Sequence, residues 1–547
     1  MNKIKHKTYL PVFYLLLFCS TGIALRSSAQ EPLAKMKDTI YVKGTKIPAA
    51  IGAAGQEAEI LTPKPGPVPK INGPKIYGCR PGHPFLYRIP ATGIRPISFS
   101  ARGLPQGLRI HKETGIITGQ IQKKGTYRVK LSGKSRYGKD TRILEIKCGD
   151  QINLSPPMGW NNWYAHYERI TDQMMREAAD HLVSSGMADA GYQYINIDDC
   201  WMNAQHHKDL GRVGRARDAI GNILPNSYFP DMRSLTNYIH GKGLKAGIYT
   251  SPGPTTCAGF TGSYGHEAAD ALQFAKWGFD FLKYDYCSYE YLEKKIRDSL
   301  PGITSDQLMK APYLKMGYML KSQSRDISFN LCQYGRNDVW VWGSEAGNSW
   351  RTGADLGPEL NQFFEVALKN AVHGKWTRPG AWSDPDYIQI GYVGNTNGMG
   401  LPELTRLSPV EQYSFMSLWA LLAAPLFYSG DLTKLNDFSL NVLCNAEVID
   451  VDQDLLGKCA SVVSKTENTF VLVKELEDGS RAIGLCNKGE TQERVTVKWK
   501  EAGLPDSSMN IRDIWRQKNI GTAAREYTAM VPTRGVVLIR VIPSLKK

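Results

Sequence analysis

Between residues 153 and 435, short apolar runs alternate with stretches of helical periodicity. Tyr192 to Ile197, Leu244 to Tyr249, Phe279 to Tyr284, Ile327 to Leu331 and Pro425 to Tyr428 read as buried strands. Parallel strands covered on both faces are near-continuously apolar, which is this pattern. In 171–186, Met175, Ala178, Ala179, Leu182 and Val183 share one helical face, and Gly186 is placed to end the helix. Such strand–helix alternation predicts an α/β fold, a (β/α)8 TIM barrel, whose chemistry sits at the C-terminal ends of its strands.

The flanking regions have a different period. Residues 76–148 carry short alternating runs, Phe85 to Ile89 and Tyr127 to Leu131, with turn residues at Gly103-Leu104-Pro105, Gly115, Gly119 and Lys124-Gly125. This predicts a small N-terminal β-sandwich. Phe470 to Val473, Arg481 to Leu485, Val495 to Val497 and Gly535 to Val541 predict a closing C-terminal antiparallel β-domain. Expected segments are a leader at 1–30, an N-terminal stretch at 31–75 ending in the stiff Pro-rich run 62–69, the sandwich at 76–150, the barrel at 151–438 and the C-terminal domain at 439–547.

Lys3, Lys5 and Lys7, the apolar run Tyr9 to Ala24, and Ser27-Ser28-Ala29 give the leader the form of an export signal cut after Ala29 or Gln30. The protein is therefore expected to be periplasmic or secreted. Lipoprotein anchoring at Cys19 is disfavoured by the bulky Phe18 before it. No later apolar run is long enough to span a membrane. The net charge is +15, but no dense basic run interleaved with aromatics accompanies it, so nucleic acid is not an expected partner. Of ten cysteines, nine follow the leader, so at least one thiol stays free unless it pairs between chains. None forms a Cys-x-x-Cys motif, which argues against a structural zinc site.

Charged residues gather where the barrel strands end. FDFLKYDYC (279–287) stops being apolar at Lys283, Asp285 and Cys287, spaced two apart and so facing one way. A lysine beside an aspartate makes a poor core but favours an ionised carboxylate, which a sugar-cleaving nucleophile must be. Asp198-Asp199, Tyr249, Cys332-Gln333-Tyr334, Trp350-Arg351, Asp355, Trp382, Asp384 and Asp386 fall at other strand ends, after Trp160 and Trp163. Carboxylates accept from sugar hydroxyls, Lys and Arg donate to them, and indoles cover the apolar face of a pyranose. Singly, each has a plainer reading: Lys283–Asp285 and Arg351–Asp355 as structural ion pairs, the tryptophans as core, Asp198-Asp199 as a turn or a metal site.

Taken together, the segments PPMGWNNW (156–163), GYQYINIDDCW (191–201), GLKAGIYTSPGPTTC (243–257), FAKWGFDFLKYDYC (274–287), NSWRTGAD (348–355), GAWSDPD (380–386) and EVIDVDQDLLGK (447–458) resemble glycoside hydrolase family 27, the α-galactosidase and α-N-acetylgalactosaminidase family. GLPQGLRIHKETGIITGQI (103–121) resembles the immunoglobulin-like domain often attached to bacterial glycan enzymes, where it spaces or docks. The first resemblance implies Asp285 as nucleophile and Asp355 as general acid/base of a retaining double displacement, with no cofactor and no metal. It implies Trp163, Asp198, Asp199, Tyr249, Lys283, Arg351 and Asp386 as sugar-binding positions, and a disulfide between Cys257 and Cys287.

The departures bear on the substrate. Most α-galactosidases carry Cys-Glu-Trp where this chain has Cys332-Gln333-Tyr334, and the middle residue helps read the sugar's 2-position. Gln333 is neutral but not small, which favours galactose over N-acetylgalactosamine. Tyr387 replaces a common methionine. Glu168 and Gly347 stand at the usual partner positions of Cys200 and Cys332, so both thiols are expected free. The expected activity is removal of terminal α-D-galactosyl residues from oligosaccharides or polysaccharides. The alternatives are β-L-arabinopyranosidase or α-N-acetylgalactosaminidase activity, or, in another class, a non-catalytic glycan-binding protein. Oligomeric state is not legible, nor is whether Cys79 and Cys148 join across the small β-domain.

Overall fold

A computed structural model describes residues 60–300, 302–357, 360–394 and 400–543, and the backbone of 39–42 and 45–48. The leader at 1–30 lies outside the described residues.

Eight parallel strands form the central sheet: β1 (Met158–Asn161), β2 (Tyr194–Asn196), β3 (Lys245–Thr250), β4 (Phe281–Asp285), β5 (Ser328–Cys332), β6 (Ser349–Arg351), β7 (Trp382–Asp384) and β8 (Leu426–Tyr428). Their spatial order is sequential from β1 to β7, and β8 returns to pair with β1. The seam between β7 and β8 is bridged at Ile388, whose N–H donates to Phe427 O at 2.7 Å and whose carbonyl accepts from Ser429 N at 2.9 Å. The sheet thus closes as the βα alternation predicts. Along β4 the side chains alternate: Leu282 and Tyr284 join the core beneath the helices, while Phe281 packs inside the barrel with Tyr194, Phe427, Tyr387 and Tyr164. Lys283 and Asp285 continue that inward row towards the C-terminal mouth.

Helix α1 (Asp172–Ser184) follows β1, capped at Thr171 by acceptance from Met174 N, and Gly186 takes a left-handed φ of 89° just beyond it. Helix α2 (Pro409–Leu422) is buried nearly all round because it lies between the barrel and the C-terminal domain. After β8 come α3 (Asp437–Leu443) and α4 (Ala446–Asp452), whose Val442, Leu443, Val448 and Ile449 pack into the barrel core. The expected boundary at 438 therefore falls inside the eighth βα unit. Apolar stripes on two short helices bind it to the barrel, and the next strand begins only at Ser461.

The C-terminal domain pairs a six-stranded antiparallel sheet with a two-stranded ribbon, Glu493–Lys498 with Glu526–Val531. One face of the sheet (Val471, Ile483, Leu485, Ile539) joins Val497 and Trp499 in a separate core. The opposite face (Phe470, Leu472, Ala482, Leu538) joins the barrel core. Both faces of this sheet are covered, so its strands read as apolar runs.

The N-terminal sandwich consists of four- and three-stranded sheets around Phe85, Tyr87, Phe99, Ile117, Leu131 and Leu144. Its first strand, Lys70–Ile71, starts before the expected position 76. Cys79 and Cys148 are register partners on adjacent parallel strands, both with free thiols. Arg80 donates to Asp326 at 2.7 Å, and Arg95 to Asp189 at 2.7 Å. These acids lie just before β5 and β2, so the sandwich docks on the end of the barrel away from its mouth. The Pro-rich run is held at its start: Thr62 N donates to Asn441 Oδ1 at 3.2 Å, and Asn445 Nδ2 donates to Thr62 Oγ1 at 2.8 Å. Upstream, Thr39–Val42 and Thr45–Pro48 pair as a hairpin, which the mixed composition of 31–75 does not announce.

Candidate active site

Asp285 ends β4 with its side chain almost wholly buried. Its two oxygens have different partners. Oδ2 accepts from Tyr249 O–H at 3.2 Å, and Oδ1 accepts from Tyr334 O–H at 2.6 Å. Lys283 Nζ lies 4.0 Å from Oδ2 but 3.1 Å from Asp198 Oδ2. The cation therefore belongs first to Asp198 and only second to Asp285. The sequence argument expects Lys283 to hold the Asp285 carboxyl low. Lys283 and the Tyr334 hydroxyl do pull it down, but burial is the larger influence and leaves it above the ordinary carboxylate range.

Asp198 accepts from Asn161 Nδ2 at 2.8 Å as well as from Lys283, and its own N–H donates to Asn162 Oδ1 at 2.7 Å. The tandem asparagines of NNW thus set the end of β2. Asp199 is fully buried, accepts from Cys200 N at 2.7 Å and Ala258 N at 3.0 Å, and is pushed by burial up to about 7. Trp163 is half-buried beside Tyr167, with ring centroids 4.5 Å apart.

Asp355 is the exposed member of the set, its side chain 40% accessible. Arg351, four residues earlier and itself buried, donates to Asp355 Oδ1 at 3.0 Å, to the Ala354 carbonyl at 2.9 Å and to the Gly353 carbonyl at 3.3 Å. Its Nη2 also lies 3.1 Å from Asp386 Oδ2. Asp386, at φ 105°, further accepts from Tyr164 O–H, Leu356 N and Tyr387 N, and burial raises its carboxyl to about 6. Asp386 stands behind Arg351 and fixes it, while Arg351 in turn fixes the turn that presents Asp355. The loop after β5 abuts this turn: a Cβ on Gly335 would meet the Thr352 carbonyl oxygen at 2.3 Å, so only glycine allows the approach.

Gln333 is fully buried, and neither amide atom has a hydrogen-bond partner. Cys257 and Cys287 form a disulfide from the loop after β3 to the end of β4. Together with Asp285 they are the one grouping of potential metal ligands among the described residues, and both sulfurs are taken by the bond. Cys200 and Cys332 are free and buried, as expected. Glu168 instead accepts from Lys208 at 2.9 Å and lies 3.0 Å from His207 Nε2. At Gly347 a Cβ would lie 2.6 Å from the Phe329 carbonyl oxygen, which leaves no room for a cysteine to reach Cys332.

Of the residues that the sequence reading gathers at one mouth, the structure joins Asp198, Lys283, Tyr249 and Asp285 in one contact network and Arg351, Asp355 and Asp386 in another. Tyr334 was not among its site residues, although it follows Gln333 directly at a strand end. Tyr387, whose hydroxyl is 3.2 Å from Asn161 Nδ2 and whose ring lies 5.2 Å from Lys283 Nζ, was noted only as a departure.

A parallel barrel carrying one buried and one exposed carboxyl at the C-terminal ends of its strands has the equipment of a two-carboxyl glycoside hydrolase. The chain belongs to the alpha galactosidase A family, whose model matches residues 155–454. The model for the alpha galactosidase C-terminal beta sandwich domain matches 466–541, and one for an Ig domain matches 71–148. An α-galactosidase of Cyamopsis tetragonoloba is 35% identical over 421 residues, 76% of this chain and 93% of that protein. Alpha-galactosidase A of Cellvibrio japonicus is 33% identical, covering 72% and 93%. The crystal structure of α-galactosidase I from Mortierella vinacea superposes with a TM-score of 0.63 at 27% identity, covering 73% of this chain and all of that one.

Proposed function

We propose that this protein is an exported, retaining exo-α-galactosidase that releases terminal α-D-galactosyl residues from oligosaccharides or polysaccharides. The observation that carries the reading is the asymmetric pair at the mouth: Asp285 buried under two tyrosine hydroxyls and Asp355 exposed on Arg351. In the first step an Asp285 oxygen bonds to the anomeric carbon as the glycosidic bond breaks, and Asp355 gives its proton to the leaving oxygen. In the second, water gives a proton to Asp355 and attacks the same carbon, and the ester electrons return to Asp285. The role of Asp355 needs a proton at the start. Lys283, Asp198, Asp199 and Trp163 are the proposed sugar contacts, with Asp386 acting through Arg351. Galactose is favoured over N-acetylgalactosamine because Gln333 fills its site. Among the described residues no helix is long and apolar enough to cross a membrane.

The test is hydrolysis of an aryl α-galactoside with the first product's anomer read by NMR. Retention with turnover is expected, and turnover abolished in Asp285→Asn. Inversion, or an active Asp285→Asn, would overturn the nucleophile.

A further inference from the structure

We infer that Tyr334 is a positioning residue that sets the charge on Asp285 and thereby the balance between forming and breaking the glycosyl-enzyme. This rests on Asp285 being the nucleophile. The relevant contact is an O–H···O bond of 2.6 Å to Oδ1, the length of a charge-assisted bond. The backbone is built to hold it. Tyr334 takes a positive φ of 61°, Gly335 follows at 75°, and the loop is wedged against the turn that carries Asp355. Arg336 lies 6.0 Å from the Tyr334 ring centroid.

The other groups bearing on Asp285 are Lys283 beside it on β4, Asp198 from β2, Tyr249 from β3, Tyr313 from the helix before β5, Cys332 from β5 and Asp355 after β6. Lys283 is shared with Asp198, and the Tyr249 contact is 3.2 Å. Tyr334 is thus the shortest donor to the carboxylate. Its effect follows from where negative charge resides. Free Asp285 is an anion, whereas in the glycosyl-enzyme its charge is spent on the new C–O bond. A donor therefore stabilises the free carboxylate more than the ester, whichever oxygen attacks. It makes the carboxylate easier to ionise, a poorer nucleophile and a better leaving group. Glycosylation is slowed slightly, and release of the sugar to water is speeded.

Tyr334→Phe removes only the hydroxyl. With a dinitrophenyl α-galactoside, whose good leaving group makes release limiting, kcat should fall about tenfold. KM should fall with it, and a burst of phenolate should mark the accumulated intermediate. The acid limb of kcat/KM should move about one pH unit upward, as loss of one charged hydrogen bond implies. Tyr334→Leu, which also loses the ring, should show the same limb shift whatever it does to thermal stability. An unmoved acid limb, or kcat reduced with neither burst nor lower KM, overturns the inference. Asp285→Asn in parallel separates the two readings. If that variant stays active, the nucleophile assignment fails; if it is dead while Tyr334→Phe is unchanged, only the role of Tyr334 fails.

Discussion

Lys283 lies 3.1 Å from Asp198 and 4.0 Å from Asp285, so one buried ammonium serves two strand-end carboxylates unequally. Its ring neighbours are Tyr249 and Tyr387, each 5.2 Å away. Removing it strands two carboxyls in a dry site.

Lys283→Met should accordingly cost about 3–5 kcal/mol of stability, the usual penalty for breaking a buried pair from one side. It should also move the acid limb of kcat/KM. The Asp285 carboxyl is already raised by burial, and Lys283 is the largest influence lowering it. Without that cation the carboxyl rises further. Activity requires the anion, so activity is lost at a higher pH as the solution is acidified. Chemical denaturation and a pH profile check the two halves separately. A limb that stays put or moves to lower pH would contradict the assignment.

Asp355 is exposed and Asp285 is not, and the roles divide accordingly. Asp355→Ala should lower kcat/KM by about 10²–10⁴ on an alkyl galactoside, whose leaving oxygen needs a proton. On a dinitrophenyl galactoside the first step should be nearly unaffected. Azide should speed release of the sugar and give a galactosyl azide of the substrate's own anomeric form, because it displaces Asp285 from the side that water takes. Equal losses across leaving groups would rule out an acid role.

The barrel was legible because its strands are buried on both faces and its helices carry one apolar stripe. Phe279 to Leu282 and Met175 to Val183 signal their partners locally. The site was legible where a charge interrupts such a strand, as at Lys283 and Asp285. What stayed hidden was non-local. Asp198 as the nearer partner of Lys283 depends on how β2 and β4 flank β3, and the hold of Asp386 on Arg351 depends on two neighbouring loops. The net rise of the Asp285 carboxyl stayed hidden because two letters spaced two apart show the cation, which does lower it, but not the loss of water around the pair. The packing of α3 and α4 on the barrel was not legible either, because helices only two turns long are too short for their periodicity to separate them from a linker.

Asp452 couples the barrel to the C-terminal sheet and makes a stability prediction. It is fully buried near Lys474, and burial raises its carboxyl to about 8. A raised acid favours the folded state fully below its unfolded value of about 4, and that contribution is lost as pH rises through about 8. Asp452→Asn removes the titration while keeping the shape. Its melting temperature should therefore fall less than the parent's between pH 5 and 9. Parallel curves for the two proteins would show that Asp452 does not ionise in this range.

Gln333 has no surface exposure and two unpartnered amide atoms, a costly arrangement for a side chain that only fills space. It follows Cys332 at the end of β5, next to the tyrosine that contacts the nucleophile. The proposed galactose site gives it a partner in the sugar's 2-hydroxyl. Gln333→Ala should then have two effects of opposite sign. On an aryl α-galactoside, kcat/KM should fall about tenfold for one lost hydrogen bond. On the matching 2-acetamido sugar it should rise, because truncation makes space for the acetamido group. Thermal stability should change little or increase, since an orphaned amide is removed along with its packing. The ratio of kcat/KM between the two substrates measures this directly. If that ratio is unchanged while both values drop together, Gln333 supports the loop and does not read the sugar.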